Sequence, residues 1–362
     1  MVVKDIYIVD DYCFFCGMVC SLADSQFYAI YGYFDINDFF SNYMNLNIYI
    51  LNSLTTTAPP SLERLVVYPY NSSYKLVAYG HEGSSYSKVV EIDDAMNPAP
   101  TCSVADMGSF FWNGARLMIQ DIILTNDYVV FLTDDANMRI GYSYGNKNAV
   151  VNDLVSLPNK FYYLPDEVNG IMVGVALEND DIGMAYVHYN SYFSTRLRVI
   201  DVTTGTDLYS YEFYKYDKED PIKMVYLNKL GKIELLQPIT TLSDFVSMNP
   251  YIGASYPAET YTHNKDEYNN MYNVEGDCFI STSGDKYYLQ NRTVTPPLCN
   301  PNCPESDIIN IELISNVNID SLVTNYDFKL MVTGLPLYNA NVQIKPMIDE
   351  CYSAETNVRK NK

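Results

Sequence analysis

DIILTNDYVVFLTDDANMRIGYSY, residues Asp121–Tyr144, decides the fold, because part of it is written again near the N-terminus as DIYIVDDYCFFCG, Asp5–Gly17. Aligned, Asp5 falls on Asp121, Ile6 on Ile122, Ile8 on Leu124, Asp11 on Asp127, Tyr12 on Tyr128 and Phe15 on Phe131. Downstream, Gly32-Tyr33 echoes Gly141-Tyr142. Self-similarity at long spacing marks a repeat architecture. Within Tyr128–Thr133 apolar residues occupy both faces, which suits a strand covered on both sides. Asp134-Asp135-Ala136-Asn137 is turn chemistry, and Met138–Tyr144 resumes with period-two character.

Outward from this stretch, similar units follow one another. The first runs through YCFFCG and FYAIYGYFD to NIYILNS; the second holds LERLVVYPY, YKLVAYG and SKVVEID. The third is the stretch quoted above. The fourth reads GIMVGVAL, IGMAYVHY and TRLRVIDVTTG; the fifth reads LYSYEFYKY, IKMVYL and KIELLQPI. DCFISTS and YYLQNR form a sixth, and DIINIELI, DFKLMVTG and NVQIKPMI a seventh. Anchors at Tyr12, Tyr74, Tyr128, Ile171, Ile222, Cys278 and Phe328 lie about 43 to about 62 residues apart, near the ~40–50 of a four-stranded propeller blade. Helical patterns are scarce; Asp35–Asn45 and Thr241–Val246 could each supply a short turn of helix.

The expected fold is therefore all-β: a β-propeller with six to seven four-stranded antiparallel blades, seven favoured, since radial repetition leaves few exposed edges. Residues 1–348 are expected as one propeller domain and 349–362 as a flexible tail. The alternative division is a propeller over 1–295 with a C-terminal appendage at 305–348. The alternative fold is two β-sandwich domains, with a boundary near Asn146–Leu157 or in the Pro296–Pro304 loop. Closure is expected to bring Val2–Val9 beside strands within Asp307–Ile348.

Composition narrows the function classes. The 362 residues include 35 Tyr, 15 Phe and one Trp, and tyrosine suits strands because its ring packs while its hydroxyl reaches water. A net charge of −21 repels polyanions, so nucleic acid is excluded as a partner. The apolar runs are short and interrupted, so no transmembrane segment is expected. No signal peptide is visible, yet Met1 leads directly into strand-like VVKDIYIV, as in a chain whose export signal lies upstream.

Residue types that carry chemistry are sparse. Cys13 and Cys16 face opposite sides of an extended strand and cannot share a metal, so with Cys20 they read as thiols packing as small hydrophobes. Cys299 and Cys303 sit in a Pro/Asn loop that permits either a local disulfide or reduced thiols. Of three histidines, His81 lies in YGHEGSSYS beside Glu82 and Ser84, His188 in a strand, and His263 in a polar loop. None has a visible partner for general-base work. Asp134/Asp135 and Asp180/Asp181 could offer oxygens to calcium but lack the alternating spacing of a dedicated loop, and read as hairpin turns. Tyr-rich loops at Asn249–Tyr261 and Asn264–Tyr272 could present a sugar- or peptide-binding face. No residue is assigned as catalytic, cofactor-binding or metal-ligating, and no cofactor is expected.

DIYIVDDYCFFCG, DIILTNDYVVFLTDDANMRIGY and IKMVYLNKLGKIELL together resemble uncharacterised, exported β-propeller proteins of gut bacteria, over most of Asp5–Arg292. The resemblance implies a propeller and a cell-surface, periplasmic or extracellular location, with a cytoplasmic one as the alternative. It carries over no catalytic residue. One Trp cannot furnish a WD dipeptide per blade, and kelch and sialidase signatures are absent. The expected function is non-catalytic binding or scaffolding, recognising a glycan or protein through loops at one end of the ring. The alternative is an enzyme acting on a glycan or other extracellular polymer, with acidic residues at the central channel.

Overall fold

The computed structural model describes residues 1–37 (without 22 and 24), 46–108 (without 84 and 85), 116–135, 139–156, 161–167, 171–189, 193–214, 223–228, 231–239, 242–248 and 250, and thereafter the strands within 259–333. The chain forms two compact units. One comprises Met1–Tyr226 with Gly231–Lys265, the other Leu227–Leu230 with Asp266–Lys362.

Strands follow one another in antiparallel meanders. Sheet A is β1 (Val2–Val9), β2 (Tyr12–Cys20), β3 (Phe27–Asp35) and β4 (Asn47–Ile50); sheet B is β5 (Arg64–Tyr70), β6 (Ser73–Glu82), β7 (Tyr86–Asp93) and β8 (Thr101–Asp106). Sheet C is β9 (Leu117–Leu124), β10 (Tyr128–Asp135), β11 (Arg139–Asn146) and β12 (Phe161–Glu167). Sheet D is β13 (Val173–Ala176), β14 (Asp181–Tyr189), β15 (Phe193–Asp201) and β16 (Asp207–Tyr214). Sheet E is β17 (Lys223–Leu227), β18 (Lys232–Ile239), β19 (Leu242–Met248) and β20 (Glu259–His263). The second unit holds sheet F: β21 (Asn270–Asn273), β22 (Cys278–Ser283), β23 (Lys286–Asn291), β24 (Asn310–Ser315) and β25 (Phe328–Thr333).

The described residues thus make six sheets. DIINIELI and DFKLMVTG, read as a seventh unit, supply the fourth and fifth strands of sheet F. LYSYEFYKY closes sheet D as β16 and does not open the fifth unit. Each sheet is built from consecutive strands, so Val2–Val9 and the strands within Asp307–Ile348 belong to different sheets. The tail at 349–362 lies outside the described residues.

Apolar residues on both faces of a strand serve two different cores. Val129 and Phe131 pack with Val66, Val77 and Val89 of sheet B, whereas Val130 and Leu132 pack with Ile182 and Met184 of sheet D. Phe14, Cys16 and Tyr31 join Leu65, Val67 and Leu76 between sheets A and B. Val173, Ala185 and Leu197 meet Met224, Ile233 and Leu235 between D and E. Burying both faces of sheets B, C and D is why their strands read as near-continuous apolar runs.

One helix was not foreseen. Asn146–Leu157, the proposed sandwich boundary, contains α1 (Val150–Ser156), which joins β11 to β12 and buries Val150, Val151 and Leu154 against sheet B. Its leading N–H groups are received by a neighbouring sheet: Glu91 accepts from Val150 at 3.2 Å and Val151 at 2.7 Å. Glu91 also pairs with Lys75 Nζ at 2.7 Å, and Lys75 is 1% exposed. Thr241–Val246, offered as a turn of helix, lies mostly within β19. The β-propensity of Phe245 and Val246 prevails there.

The internal repeat is exact in register over its first hairpin. Asp5, Ile6 and Ile8 pair with Cys16, Phe15 and Cys13; Asp121, Ile122 and Leu124 pair with Leu132, Phe131 and Val129. Beyond it the echo of Gly32-Tyr33 in Gly141-Tyr142 is displaced by two residues. Phe15 pairs with Gly32 and Phe131 with Ser143, which sets Tyr31-Gly32-Tyr33 on Tyr142-Ser143-Tyr144. That register reveals a shared constellation of tyrosines. Tyr31 stacks on Tyr49 with centroids 4.7 Å apart and planes at 9°, and Tyr142 stacks on Tyr162 at 5.0 Å and 6°. Tyr12 meets Tyr33 edge-on, as Tyr128 meets Tyr144. Both groups reach the next sheet: Tyr33 Oη donates to Met96 O, Tyr142 Oη to Val202 O and Tyr162 Oη to Thr203 O.

Candidate functional site

The strands that open sheets A, B and C each carry charge or amide at the end where they begin, and two of them are bulged there. In β1 the register slips at Lys4, between Val3 and Asp5; in β9 it slips at Gln120, between Ile119 and Asp121. A bulge adds one residue and re-aims the side chains around it, a device concentrated near functional sites. In both strands the residue after the bulge is an aspartate that crosses to the following sheet. Asp5 Oδ2 accepts the Leu65 N–H at 3.1 Å, and Asp121 Oδ2 accepts the Gly174 N–H at 2.9 Å.

Sheet D comes this close because residue 174 is glycine. A Cβ there would lie 2.3 Å from Ile123 Cδ1 and 2.8 Å from Leu132 Cδ1. Asp121 is further fixed by the Ile122 N–H at 2.9 Å and by Arg64 Nη1 at 2.5 Å, which strongly favours the charged guanidinium. Burial pushes the Asp5 carboxyl up; the Leu65 N–H, Lys223 and Arg64 partly offset that shift. Inner strands of sheets A, B, C and D therefore bring Asp5, Arg64, Asp121 and the Gly174 N–H into one polar region.

Further polar groups surround it. Lys4 Nζ lies 3.4 Å from Glu63 Oε2, and Ser61 Oγ donates to Glu63 Oε1 at 3.0 Å. Tyr79 Oη donates to Gln120 O at 3.0 Å, and Gln120 Nε2 donates to Asp134 Oδ1 at 3.0 Å. Burial raises the Asp134 carboxyl, and the Gln120 bond opposes it.

His81 lies near the end of β6, and its Nδ1 lies 2.9 Å from Ser87 Oγ; Ser84 lies outside the described residues. Ser87 is fully buried and its Oγ accepts the Ile119 N–H at 2.8 Å, so it ties sheets B and C together. Burial holds the His81 imidazole below its ordinary value; Glu63 opposes this shift and Lys4 adds to it. His188 lies in β14 with its side chain outside the described residues. His263, expected in a loop, is in β20 opposite Ser243.

Of the paired aspartates read as turn residues, Asp134 and Asp135 are the last residues of β10 and Asp181 the first of β14, and Asp180 lies in the turn before it. Asp135 Oδ1 accepts the Arg139 N–H at 3.1 Å and its carboxylate pairs with the Arg139 guanidinium. Asp180 Oδ1 accepts the Asp127 N–H at 2.9 Å, linking two hairpin turns. Cys13 and Cys16 are buried on opposite faces of β2, Cys13 opposite Ile8 and Cys16 opposite Asp5. Apart from Pro250 and the residues within β20 and β21, the stretches Asn249–Tyr261 and Asn264–Tyr272 lie outside the described residues, as do Cys299 and Cys303. Arg64 and Lys223 were not singled out from sequence. Their signal is a lone cation opening an apolar strand, in RLVVY and KMVYL.

No family model matches the chain, and no curated protein does. Solved structures do. The Dos1 propeller superposes with a TM-score of 0.51 at 10% identity, covering 80% of this chain and 67% of its own. A candidate 6-phosphogluconolactonase from Bacteroides fragilis gives 0.51 at 8% identity, covering 79% of each chain. The chain is a β-propeller. The propeller domain of the Trilobed protease from Pyrococcus furiosus is also similar, at 0.49 and 9% identity, covering 86% of this chain and 88% of that one. At such identity the likeness extends to the fold alone. Sheets A to E of the first unit are accordingly its blades. Among the described residues no helix is long and apolar enough to cross a membrane.

Proposed function

We propose that this propeller is a non-catalytic binding or scaffolding protein, recognising a glycan or protein through loops at one end of its blades. The reading rests on how the inner carboxylates are used. Asp121 accepts two main-chain N–H groups and pairs with Arg64, and Asp5 accepts the Leu65 N–H. Carboxylates bound into blade-to-blade contacts are poor candidates for the proton transfers that hydrolysis of a polymer requires. A net charge of −21 turns polyanions such as nucleic acid away. An exported setting, at the cell surface, in the periplasm or outside the cell, is part of the same proposal.

One observation favours the alternative, an enzyme acting on a glycan or other extracellular polymer. The Asp5 carboxyl is raised and the His81 imidazole lowered, shifts of the kind that groups acting as acid and base show. An array of glycans and peptides read for both retention and cleavage tests the two. Retention without cleavage is the expected result; cleavage abolished by Asp5→Asn or His81→Gln would replace the binding reading with the enzymatic one.

A further inference from the structure

Side chains tie blades B and C together where their inner strands begin. Arg64 pairs with Asp121, Tyr79 Oη donates to Gln120 O at 3.0 Å, and Ser87 Oγ accepts the Ile119 N–H at 2.8 Å. Of these, the Ser87 tie depends on a group that titrates near neutrality. Ser87 is fully buried, and its hydroxyl hydrogen has one acceptor among the described residues, His81 Nδ1 at 2.9 Å. The neutral imidazole therefore accepts at Nδ1 and carries its own hydrogen on Nε2. A proton added to the ring goes to Nδ1, where it meets the Ser87 hydrogen. Ser87 Oγ can accept it with a second lone pair, but only by turning its own hydrogen to where the buried side chain has no acceptor. Leaving a buried donor unpaired is the destabilising half of that exchange.

We propose that His81 and Ser87 form an acid-released latch: protonation of His81 at Nδ1 turns the Ser87 hydroxyl and frees Leu117–Ile119 from blade B, while the Arg64–Asp121 pair holds the rest of the seam. Among the described residues, the charges near the ring pair with one another and not with it. Lys4 lies 3.4 Å from Glu63, Lys88 lies 2.9 Å from Glu82, Asp135 pairs with Arg139, and Asp134 accepts the Gln120 amide. Tyr79, 5.7 Å from the imidazole between ring centroids, adds no charge. Burial and Lys4 disfavour the imidazolium and Glu63 favours it, and burial prevails. The bulge at Gln120 supplies the hinge: it separates Leu117–Ile119 from Asp121, so the start of β9 can part from blade B alone. An opened seam lets the imidazole take its proton in water, so opening gains a proton and grows as pH falls. The latch stands independently of whatever the blade loops recognise.

Hydrogen exchange in the full chain, with isotope-labelled isoleucine, reads the Ile119 and Ile122 amides of the same strand. Between about pH 7.5 and about pH 5 the Ile119 protection factor should fall at least ~3-fold, its midpoint on the His81 ring titration. Ile122, whose N–H is bonded to Asp121 Oδ1, should keep its protection. His81→Gln, which keeps an acceptor for the Ser87 hydroxyl but does not titrate, should remove the His81 share of the pH dependence at Ile119. Any change owed to Asp134 persists in both proteins and cancels in the comparison. Ser87→Ala should lower Ile119 protection at both pH values. An Ile119 change that is absent from the wild type, unaltered in His81→Gln or matched by Ile122 would overturn the latch, as would full protection in Ser87→Ala. Should His81→Gln fail to fold, the wild type decides alone: separate midpoints for Ile119 protection and the His81 ring would overturn the proposal.

Discussion

Asp5 accepts the Leu65 N–H at 3.1 Å, so one side chain ties the inner strand of blade A to that of blade B. Asp121 repeats the tie from blade C to Gly174 of blade D. Propeller blades touch mainly through apolar faces, which slide more readily than directed bonds. Hydrogen bonds to a charged acceptor contribute about 1.5–3 kcal/mol each, so these aspartates fix the rotation of one blade against the next. Asp121→Ala removes two main-chain bonds and strands Arg64 beside them. It should lower stability by about 2–4 kcal/mol in urea denaturation, whereas Asp121→Asn, which keeps an acceptor, should cost less. Equal losses for the two substitutions would mean the carboxylate does not act as described.

Phe131 is fully buried between blades B and C, among Val66, Val77 and Val89. Phe131→Ala should cost about 3–5 kcal/mol, the range for deleting a core aromatic ring. A loss below about 1 kcal/mol would contradict the packing.

Glu91 carries two of the leading N–H groups of α1 and the Lys75 ammonium, all out of water. Glu91→Ala should be destabilising by about 3–5 kcal/mol, since it strands two helix N–H groups and leaves the buried ammonium with Asp93, at 2.8 Å, as its one remaining carboxylate partner. Lys75→Met with Glu91→Leu should recover part of that loss, because an apolar pair has no charge to desolvate. A double variant weaker than Glu91→Ala would show that the carboxylate acts chiefly by holding the helix N–H groups.

Much of this fold was legible because its strands obey one rule: both faces apolar, turns of Asp and Asn between. The match of Asp5 with Asp121 marks two equivalent hairpins and, with them, the two aspartates that follow a bulge. The register of the third strand was missed by two residues because Gly32 and Gly141 were matched by type. The tyrosine triplets YGY and YSY, whose rings stack on Tyr49 and Tyr162, were the better guide. The helix was missed for a different reason. VVNDLVS is short and rich in β-branched valine, and what makes it helical is Glu91, from another blade. The polar cluster was invisible for the same reason: Arg64, Asp121 and the Gly174 N–H are brought together by blade packing, not by spacing along the chain.

His81 gives the stability curve one resolvable inflection. Burial holds its folded value below the ordinary 6.5, so the unfolded chain takes up the proton first as pH falls. Its contribution is complete above 6.5 and is lost as pH descends through the folded value. Asp5 and Asp134 carry the opposite sign, since their raised carboxyls favour the folded chain on protonation. The His81 share is therefore read as a difference. Between about pH 8 and about pH 5.5, wild type should lose more urea-denaturation stability than His81→Gln. Parallel curves for the two proteins would show that the imidazole is not buried as described.

The C-terminal strands complete sheet F. Within it β23 pairs with β24 through Tyr287, Tyr288 and Leu289, and β24 pairs with β25 along its whole length. Cutting the chain after Arg292 removes β24 and β25 together and leaves β23 as a bare edge of a three-stranded sheet. An unpaired strand edge offers its N–H and C=O groups to any other chain, and here the exposed residues on it would include tyrosine and leucine. A fragment of residues 1–292 should therefore associate into soluble aggregates or precipitate. Light scattering should rise with concentration, and the melting transition should broaden or vanish. A monomeric fragment with a single sharp transition would show instead that β21–β23 need no further strand and that the last two belong to a separable appendage.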